Sequence, residues 1–230
     1  MGILIGVLEQ GLIYGIMALG VYITYKILDF PDLTTDGSFP AGAAITAVLL
    51  TKGINPYLSL LISFISGMVI GALTGIIHVK FKVRDLLSGI IMMTALYSIN
   101  LRIAGKANVP LFSQNTVFDN SFVNSIFPQS LVLYKTVIIA LILTLITKFI
   151  LDAYLNTKSG FLLRAVGNNE TLVTTLAKDT GLVKILGLAI ANGLVAMSGS
   201  IMCQQQRFFE ISMGTGTVVI GLANVIIGTN

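Results

Sequence analysis

Residues Tyr57–Val79 read YLSLLISFISGMVIGALTGIIHV, with no charged side chain before His78. A helix needs about 20 predominantly apolar residues to cross a lipid bilayer, so this run predicts a membrane-spanning helix. Gly67, Gly71 and Gly75 recur at every fourth position within it. Small residues at that spacing let two helix backbones approach closely, so we expect a neighbouring helix to pack against the glycines.

The composition of the whole chain agrees with this interpretation. Of the 230 residues, 55% are hydrophobic and 10% are charged, and the mean hydropathy is +0.91. Soluble domains carry about 25% charged residues, so this chain has too few charges to cover a water-facing surface. A membrane β-barrel would show alternating strands of roughly ten residues, whereas the apolar runs here are longer and continuous. The sequence therefore predicts an all-α integral membrane protein.

Further apolar runs repeat the pattern along the chain. We predict a bundle of about six to eight transmembrane helices, some of them short or broken, because a full span needs about 20 apolar residues. The first run contains Gly11 and Gly15, which we also expect to serve close helix packing. Residues 1–230 are interpreted as one membrane domain. The predicted apolar runs are Ile3–Leu28, a short run that ends at Leu50, Tyr57–Val79, Leu86–Leu101, Leu131–Leu151, Leu182–Cys203 and Gly214–Gly228, the last of which is too short to span comfortably.

The basic residues predict the orientation of the helices in the membrane. If the helices alternate in direction, nine of the Lys and Arg residues fall on one side and five on the other. Loops rich in Lys and Arg stay in the cytoplasm, so we expect the side with nine to be cytoplasmic. This places the segment 152–181 in the cytoplasm and the loop 102–130 outside the cell. The net charge of +4 follows from the topology and does not indicate nucleic-acid binding.

An acidic break follows the first apolar run. The residues 29–40 contain three carboxylates and two prolines, and a short, small-residue helix is predicted directly after them. Transporters build substrate sites at membrane depth from such broken helices, but an aqueous loop with helix caps has the same composition. We leave the two readings open, with capping favoured for Ser38. The candidate residues for a substrate path are Asp29, Asp32, Asp36, Ser38, Gln204 and Gln205.

The end of the Leu182–Cys203 run resembles the end of the first run in its organisation. A polar, Phe-containing break at 204–210 precedes the short apolar run Gly214–Gly228. Under the predicted topology the two long helices run in opposite directions. The chain is therefore interpreted as containing an inverted repeat, which is common in transporters with a central site.

The segment Lys158–Gly181 is predicted to hold a short amphipathic helix with marked ends. Asn168 or Asn169 is suited to the N-cap, Glu170 favours the first turn, and Gly181 is suited to the left-handed position after the last turn. A helix this short is marginal alone in water, so we expect it to rest on a partner protein through a narrow apolar stripe. The candidate coupling residues are Gly160, Arg164, Gly167, Asn168, Asn169, Glu170, Leu172, Val173 and Leu176.

Several functional classes find no support in the sequence. It contains no phosphate-binding loop or other nucleotide fingerprint, no Cys/His cluster for a metal and no Ser/His/Asp set. We therefore predict no enzymatic activity, no metal and no cofactor for this chain. A membrane bundle with a capped cytoplasmic helix indicates a channel-forming subunit that a separate ATPase moves. An ion-coupled secondary transporter and a purely structural subunit remain alternatives.

Three stretches resemble the permease subunits of bacterial ATP-binding-cassette (ABC) importers that are related to the branched-chain amino acid permeases. The first resembles the start of those permeases, the second their cytoplasmic coupling motif, and the third their late helix. Together they extend the resemblance over nearly the whole chain. The stretches are Glu9–Phe39 (EQGLIYGIMALGVYITYKILDFPDLTTDGSF), Gly160–Glu170 (GFLLRAVGNNE) and Val218–Gly228 (VVIGLANVIIG).

The resemblance carries expectations about partners and substrate. It implies two permease copies, expected here as a homodimer, in a bacterial cell membrane, two cytosolic ATPases that bind ATP and Mg²⁺, and an extracellular or lipoprotein solute-binding protein. It implies alternating access and, for the most similar subgroup, an amino acid substrate, aromatic or branched-chain. Import of a sugar or nucleoside by the same mechanism is the alternative. Permeases of the family continue for further helices after the third stretch, so we expect this chain to be incomplete at its C-terminus.

Overall fold

A computed structural model of the protein describes residues 2–126, 134–175 and 179–229. The described chain is almost entirely helical, with one short two-stranded sheet. The elements are α1 (Gly2–Val21), which continues as the π-helix Tyr22–Ile27, α2 (Thr35–Thr51), α3 (Pro56–Phe81), α4 (Asp85–Ala104), β1 (Asn108–Pro110), α5 (Ser121–Ile126), α6 (Lys135–Leu155), α7 (Lys158–Asn168), α8 (Glu170–Thr175), α9 (Thr180–Gln206), β2 (Phe208–Glu210), a 3-10 turn (Ile211–Gly214) and α10 (Thr217–Thr229).

Six helical segments of the described chain are long and apolar enough to cross a membrane, which confirms the all-α membrane fold. The 17-residue helix α2 is not one of them. The last span reaches sufficient length because the 3-10 turn extends α10, whereas the sequence indicated a run too short to span. The six segments are Gly2–Ile27, Pro56–Phe81, Asp85–Ala104, Lys135–Leu155, Thr180–Gln206 and Ile211–Thr229.

Helix α9 forms the centre of the bundle. In its most apolar stretch 78% of the residues are buried, whereas the corresponding share in the other five spans is 17–33%. Helices α1, α2 and α3 pack around it. A Cβ on Gly71 would overlap the carbonyl oxygen of Leu188, and one on Gly75 would lie 2.9 Å from the Cα of Ile185. The glycine face of α3 therefore lies directly on the backbone of α9, as small residues permit in membranes.

The bundle has two chemically different ends. At the first, which we call the basic end, the loop after α1 meets the end of α3, where the rings of Phe30 and His78 are 5.0 Å apart, and Lys184 contacts Glu170 of α8. At the second, which we call the sheet end, β1 pairs antiparallel with β2. There Arg207 forms an ion pair with Asp119.

The two broken helices run in opposite directions. Helix α1 runs antiparallel to α9, because Glu9 bonds Gln205 at the sheet end while Gly20 lies against Ala191 nearer the basic end. After the break at 28–34, α2 turns back towards the sheet end. After the break at 207–216, α10 turns back towards the basic end, where it packs on α1 and its π-helical extension. This is the relation expected of an inverted repeat.

Candidate functional site

The first turn of α2 and the first turn of α10 meet at Asp36. The carboxylate of Asp36 accepts hydrogen bonds from the backbone N–H of Gly216 at 3.1 Å, from the hydroxyl of Thr217 at 2.9 Å and from the backbone N–H of Val218 at 2.8 Å. A carboxylate at this position satisfies N–H groups that have no partner within their own helix, and its charge suits the helix dipole. Asp36 therefore caps α10 and ties α2 to α10, the two half-helices that follow the breaks.

Buried polar groups join the break after α1 to the middle of α9. Asn192, at the midpoint of α9, donates to the Asp32 carboxylate at 2.7 Å and accepts from the Ser38 hydroxyl at 2.6 Å. The backbone N–H of Thr34 donates to the same carboxylate at 2.9 Å. Asp32 and Ser38 are buried. Asp32 ties the break to α9 and Ser38 ties α2 to α9, so Ser38 bonds a neighbouring helix instead of capping its own.

A cavity of about 220 Å³ lies beside this junction, between α2, α4 and the 3-10 turn. Along α4 the cavity extends from Met93, near the middle of the helix, to Asn100, about 10 Å further towards the sheet end. Thr94 and Tyr97 on its wall are exposed on the surface of the chain. The lining residues are Asp36, Gly37, Pro40, Met93, Thr94, Tyr97, Asn100, Ile211 and Thr215.

Asn100 is a buried polar residue of this lining that the sequence analysis did not identify. It is fully buried, and its Nδ2 donates to the carbonyl oxygen of Gly37 at 3.0 Å. Among the residues that the structure describes, nothing donates to its Oδ1, which is also buried. An amide inside an apolar run is costly in a membrane and often marks a functional position. The sequence shows this amide, Asn100, within the apolar run Leu86–Leu101.

The other predicted path residues lie elsewhere. Gln204 is buried at the sheet end, where it accepts from the Val117 backbone N–H at 2.8 Å. Gln205 donates to Glu9 at 2.9 Å. Asp29 is exposed at the basic end. Of the six residues predicted for the substrate path, the structure places one, Asp36, on the wall of the cavity beside α4.

A second cavity, of about 580 Å³, lies at the basic end between α1 and α7. Its wall is polar and carries charges of both signs, and Asp29 on it has a left-handed backbone (φ 52°). A Cβ on Gly167 would overlap the carbonyl oxygen of Ile27, so α7 rests directly on the π-helical end of α1. The lining residues are Tyr22, Tyr25, Lys26, Ile27, Asp29, Arg164, Gly167 and Asn168.

The helix boundaries in the segment 152–181 differ from the prediction. Helix α7 begins after Thr157, whose hydroxyl accepts from the backbone N–H of Gly160 at 3.3 Å. Asn169 has an extended backbone directly before α8, and its carbonyl oxygen accepts from the backbone N–H of Val173 at 3.3 Å, so Asn169 takes the expected N-cap position of α8, whereas Asn168 ends α7. Gly181 lies in the first turn of α9, not after a helix end, because Asp179 caps α9 through the N–H of Leu182 at 3.1 Å.

Only one side chain of the apolar stripe predicted for partner contact lies within the described residues. Val173 is only 2% exposed, so it packs within the chain and is not free for a partner. The side chain of Leu172 and the whole of Leu176 lie outside the described residues. On α7, Gly160, Leu163 and Val166 are buried because they face the bundle. The exposed residues of α7 are Lys158, Phe161, which is 58% exposed, Arg164, Ala165 and Asn168.

Glu170 anchors α8 to the bundle. The Lys184 ammonium lies 2.8 Å from the Glu170 carboxylate. A hydrogen bond from Lys184 is the main cause that holds the pKa of the Glu170 carboxyl below its usual value.

The two glycines predicted for packing in α1 have different surroundings from those in α3. A Cβ on Gly15 would make an ordinary contact with Thr144 at 3.7 Å. Around Gly11 no heavy atom of the described chain lies within 4 Å of such a Cβ. No described residue therefore packs closely on Gly11, which lies on an exposed part of α1.

Comparison with known proteins gave matches over almost the entire chain. Residues 3–230 match the family described as branched-chain amino acid transport system / permease component. A tyrosine transport system permease protein of Clostridioides difficile is 49% identical over 225 residues, which cover 98% of this chain and 72% of that protein. An uncharacterized protein of Rickettsia prowazekii is 34% identical over 229 residues, 99% of this chain and 77% of that protein.

A more distant relative points to the same family. A probable branched-chain amino acid transport permease protein of Methanocaldococcus jannaschii is 28% identical over 228 residues, which cover 93% of this chain and 70% of that protein. No solved structure matches the chain.

Proposed function

The chain belongs to the family of branched-chain amino acid transport system permeases, a multi-pass cell-membrane family of ABC importers, and we propose that it forms half of an amino acid path in such an importer. The observation that carries the proposal is the junction at Asp36. Two half-helices begin there, beside a cavity in the membrane-spanning part of the chain. Transporters place their substrate sites where such half-helices meet.

A second copy of the chain completes the path in this proposal. The cavity beside α4 is open at the surface of the chain, where Thr94 and Tyr97 are exposed. Polar side chains facing lipid would be costly, whereas a second copy related by a two-fold axis would present the same wall to this one. The path then runs between two identical α4 helices in a homodimer.

The basic end faces the cytoplasm in this proposal, because most Lys and Arg residues lie there. A cytosolic ATPase, which binds ATP and Mg²⁺, contacts the exposed face of α7 with Phe161 as its apolar anchor. Gly167 carries the displacement of α7 to the end of α1, since no side chain separates the two backbones. Movement of α1 against α9 then alternates access to the path.

The transported solute is an amino acid in this proposal, with an aromatic one favoured. The support is the 49% identical relative, which is described as a tyrosine transport system permease. A solute-binding protein, either extracellular or a lipoprotein, delivers the solute to the sheet end. There β1, β2 and the loop 111–120 carry exposed residues, among them Asn108, Phe112 and Glu210.

The decisive experiment substitutes Phe161→Asp and measures tyrosine-stimulated ATP hydrolysis and uptake by the complete transporter in lipid vesicles. A charge on the anchor should reduce both by at least about tenfold, because anchors of this kind are worth 2 kcal/mol or more at an interface. Phe81→Asp is the matched control, because Phe81 is 72% exposed at the same end but outside α7.

Two outcomes would contradict the proposal. The first is normal co-purification of the ATPase and normal uptake with Phe161→Asp. The second is uptake that continues without ATP and stops when an ion gradient is removed.

A further inference from the structure

We propose that Asn100 is the residue that binds the ammonium group of the transported amino acid, and so selects amino acids over analogues that lack it. This inference rests on the proposed function, since it assigns a subsite within the same path. It concerns a side chain on α4 for which neither the acidic break nor the coupling segment gives a role.

The orientation of the Asn100 amide is fixed by its neighbour. The carbonyl oxygen of Gly37 can only accept, so the Asn100 group that lies 3.0 Å from it must be the NH₂. Oδ1 is therefore the remaining atom, and within the described part of the chain it has no donor. A buried acceptor without a partner costs free energy. A ligand that supplies a donor removes that cost, and an analogue without the donor does not.

Charge beside Asn100 favours a cationic donor. Asn100 bonds to Gly37, the residue that follows Asp36, and both Asn100 and Asp36 line the cavity. The Asp36 carboxylate accepts only from backbone N–H groups and a hydroxyl, and no Lys or Arg of the described chain forms an ion pair with it. A cation in this low-dielectric place interacts more strongly with that charge than it would in water. An ammonium group supplies both the donor and the positive charge.

The remaining wall suits an apolar side chain. Pro40, Met93, Tyr97 and Ile211 contribute apolar or aromatic surface to the cavity. The volume of about 220 Å³ is several times the roughly 30 Å³ that one water occupies in the liquid. The site therefore combines a cation-binding subsite at Asn100 with an apolar compartment. These two parts match the ammonium group and the side chain of an apolar or aromatic amino acid.

The test measures binding of labelled L-tyrosine, and competition by its des-amino analogue 3-(4-hydroxyphenyl)propionate, to the purified transporter in lipid nanodiscs. The solute-binding protein is left out, because it has a ligand selectivity of its own. Asn100→Leu should weaken tyrosine binding by about 10- to 100-fold and leave the affinity for the analogue unchanged, since a bond to a charged group is lost. Ser98→Leu is the control, as Ser98 is exposed on the same helix and does not line the cavity.

A second variant keeps the test valid if Asn100→Leu does not fold. Asn100→Asp retains an acceptor oxygen and adds a negative charge, so the preference for tyrosine over the anionic analogue should rise above that of the wild type. An unchanged or lower preference in Asn100→Asp would overturn the inference, as would an unchanged preference in folded Asn100→Leu.

The wild type separates this inference from the function on which it rests. If the complete wild-type transporter takes up no amino acid, the proposed function fails. If it takes up tyrosine but the transporter without its binding protein does not prefer tyrosine to the analogue, only the role of Asn100 fails.

Discussion

Polar groups in the middle of α9 bond across helices, whereas those in the segment α7–α8 bond mostly within the segment. At Asn192, polar side chains from the break after α1 and from α2 bond across helices, and glycines bring the backbones into contact. In α7 and α8, caps and hydroxyls bond mostly within their own segment, as at Thr157 and Thr174, and one ion pair ties α8 to α9. Stability is unevenly distributed in proteins, and surfaces that bind partners come from the less stable part. The comparison indicates a rigid centre and a basic end that a partner can move.

The largest expected effect is at the glycine face of α3. Gly71→Val should cost about 3 kcal/mol or more of stability, because the new Cβ overlaps the Leu188 carbonyl oxygen and a helix backbone cannot easily move aside. Thermal melting and size-exclusion profiles in detergent measure this. Gly11→Val is the matched control, with no heavy atom of the described chain within 4 Å of the new Cβ, and it should melt like the wild type. Equal melting of the two variants would refute the central role of α9.

The next effect is at the polar tie in the middle of α9. Asn192→Ala should cost about 1–3 kcal/mol, since it leaves the buried Asp32 carboxyl and the Ser38 hydroxyl with fewer partners. Thr174→Ala serves as the comparison from the other region. Thr174 is exposed, and within the described residues its hydroxyl bonds carbonyls of its own helix, so the change should stay within about 0.5 kcal/mol. Chemical unfolding of both variants in the same detergent measures the two losses in free energy of unfolding. A larger loss for Thr174→Ala than for Asn192→Ala would contradict the comparison.

The smallest effect is at the ion pair that anchors α8. Glu170 is about half exposed, so Glu170→Gln should cost only about 0.2–1 kcal/mol at pH 7. Because the folded-state pKa of Glu170 is lowered, its contribution is present above the unfolded pKa and is lost as pH falls through the folded pKa. The difference in melting temperature between wild type and variant should therefore vanish in acid. Lys184→Gln should give the same loss, and the double variant no more than either, whereas additive losses would show that the two side chains do not interact.

Some features followed from the sequence because they depend on local composition. Long apolar runs can be satisfied only as spanning helices, since a bilayer offers no water to free backbone groups. The all-α membrane fold and the family are confirmed. The short helix after the acidic break was also predicted from its apolar run. The opposite direction of the two broken helices was predicted from the topology that the basic residues indicate.

Other features could not be obtained in this way. Gly11 and Gly71 lie in similar apolar runs, yet only Gly71 meets another backbone within the chain. Val173 is apolar and was expected to bind a partner, but the bundle buries it. Asp29, Asp32 and Asp36 are seven residues apart or fewer, and the structure places them in three different environments. In each case the deciding neighbour is distant in the chain.

The sequence by itself determined a helical membrane bundle, its two broken helices and its resemblance to importer permeases, because hydropathy, caps and short motifs act over a few residues. Only the tertiary structure decided that α9 is the buried centre, that Asp36 caps α10 and that Asn100 reaches a cavity beside it. Those contacts join groups more than 60 positions apart, such as the Asn100 amide with the Gly37 carbonyl oxygen and the Asp36 carboxylate with the Val218 backbone N–H. Partners at such distances are selected by the packing of whole helices, and local sequence patterns do not predict that packing.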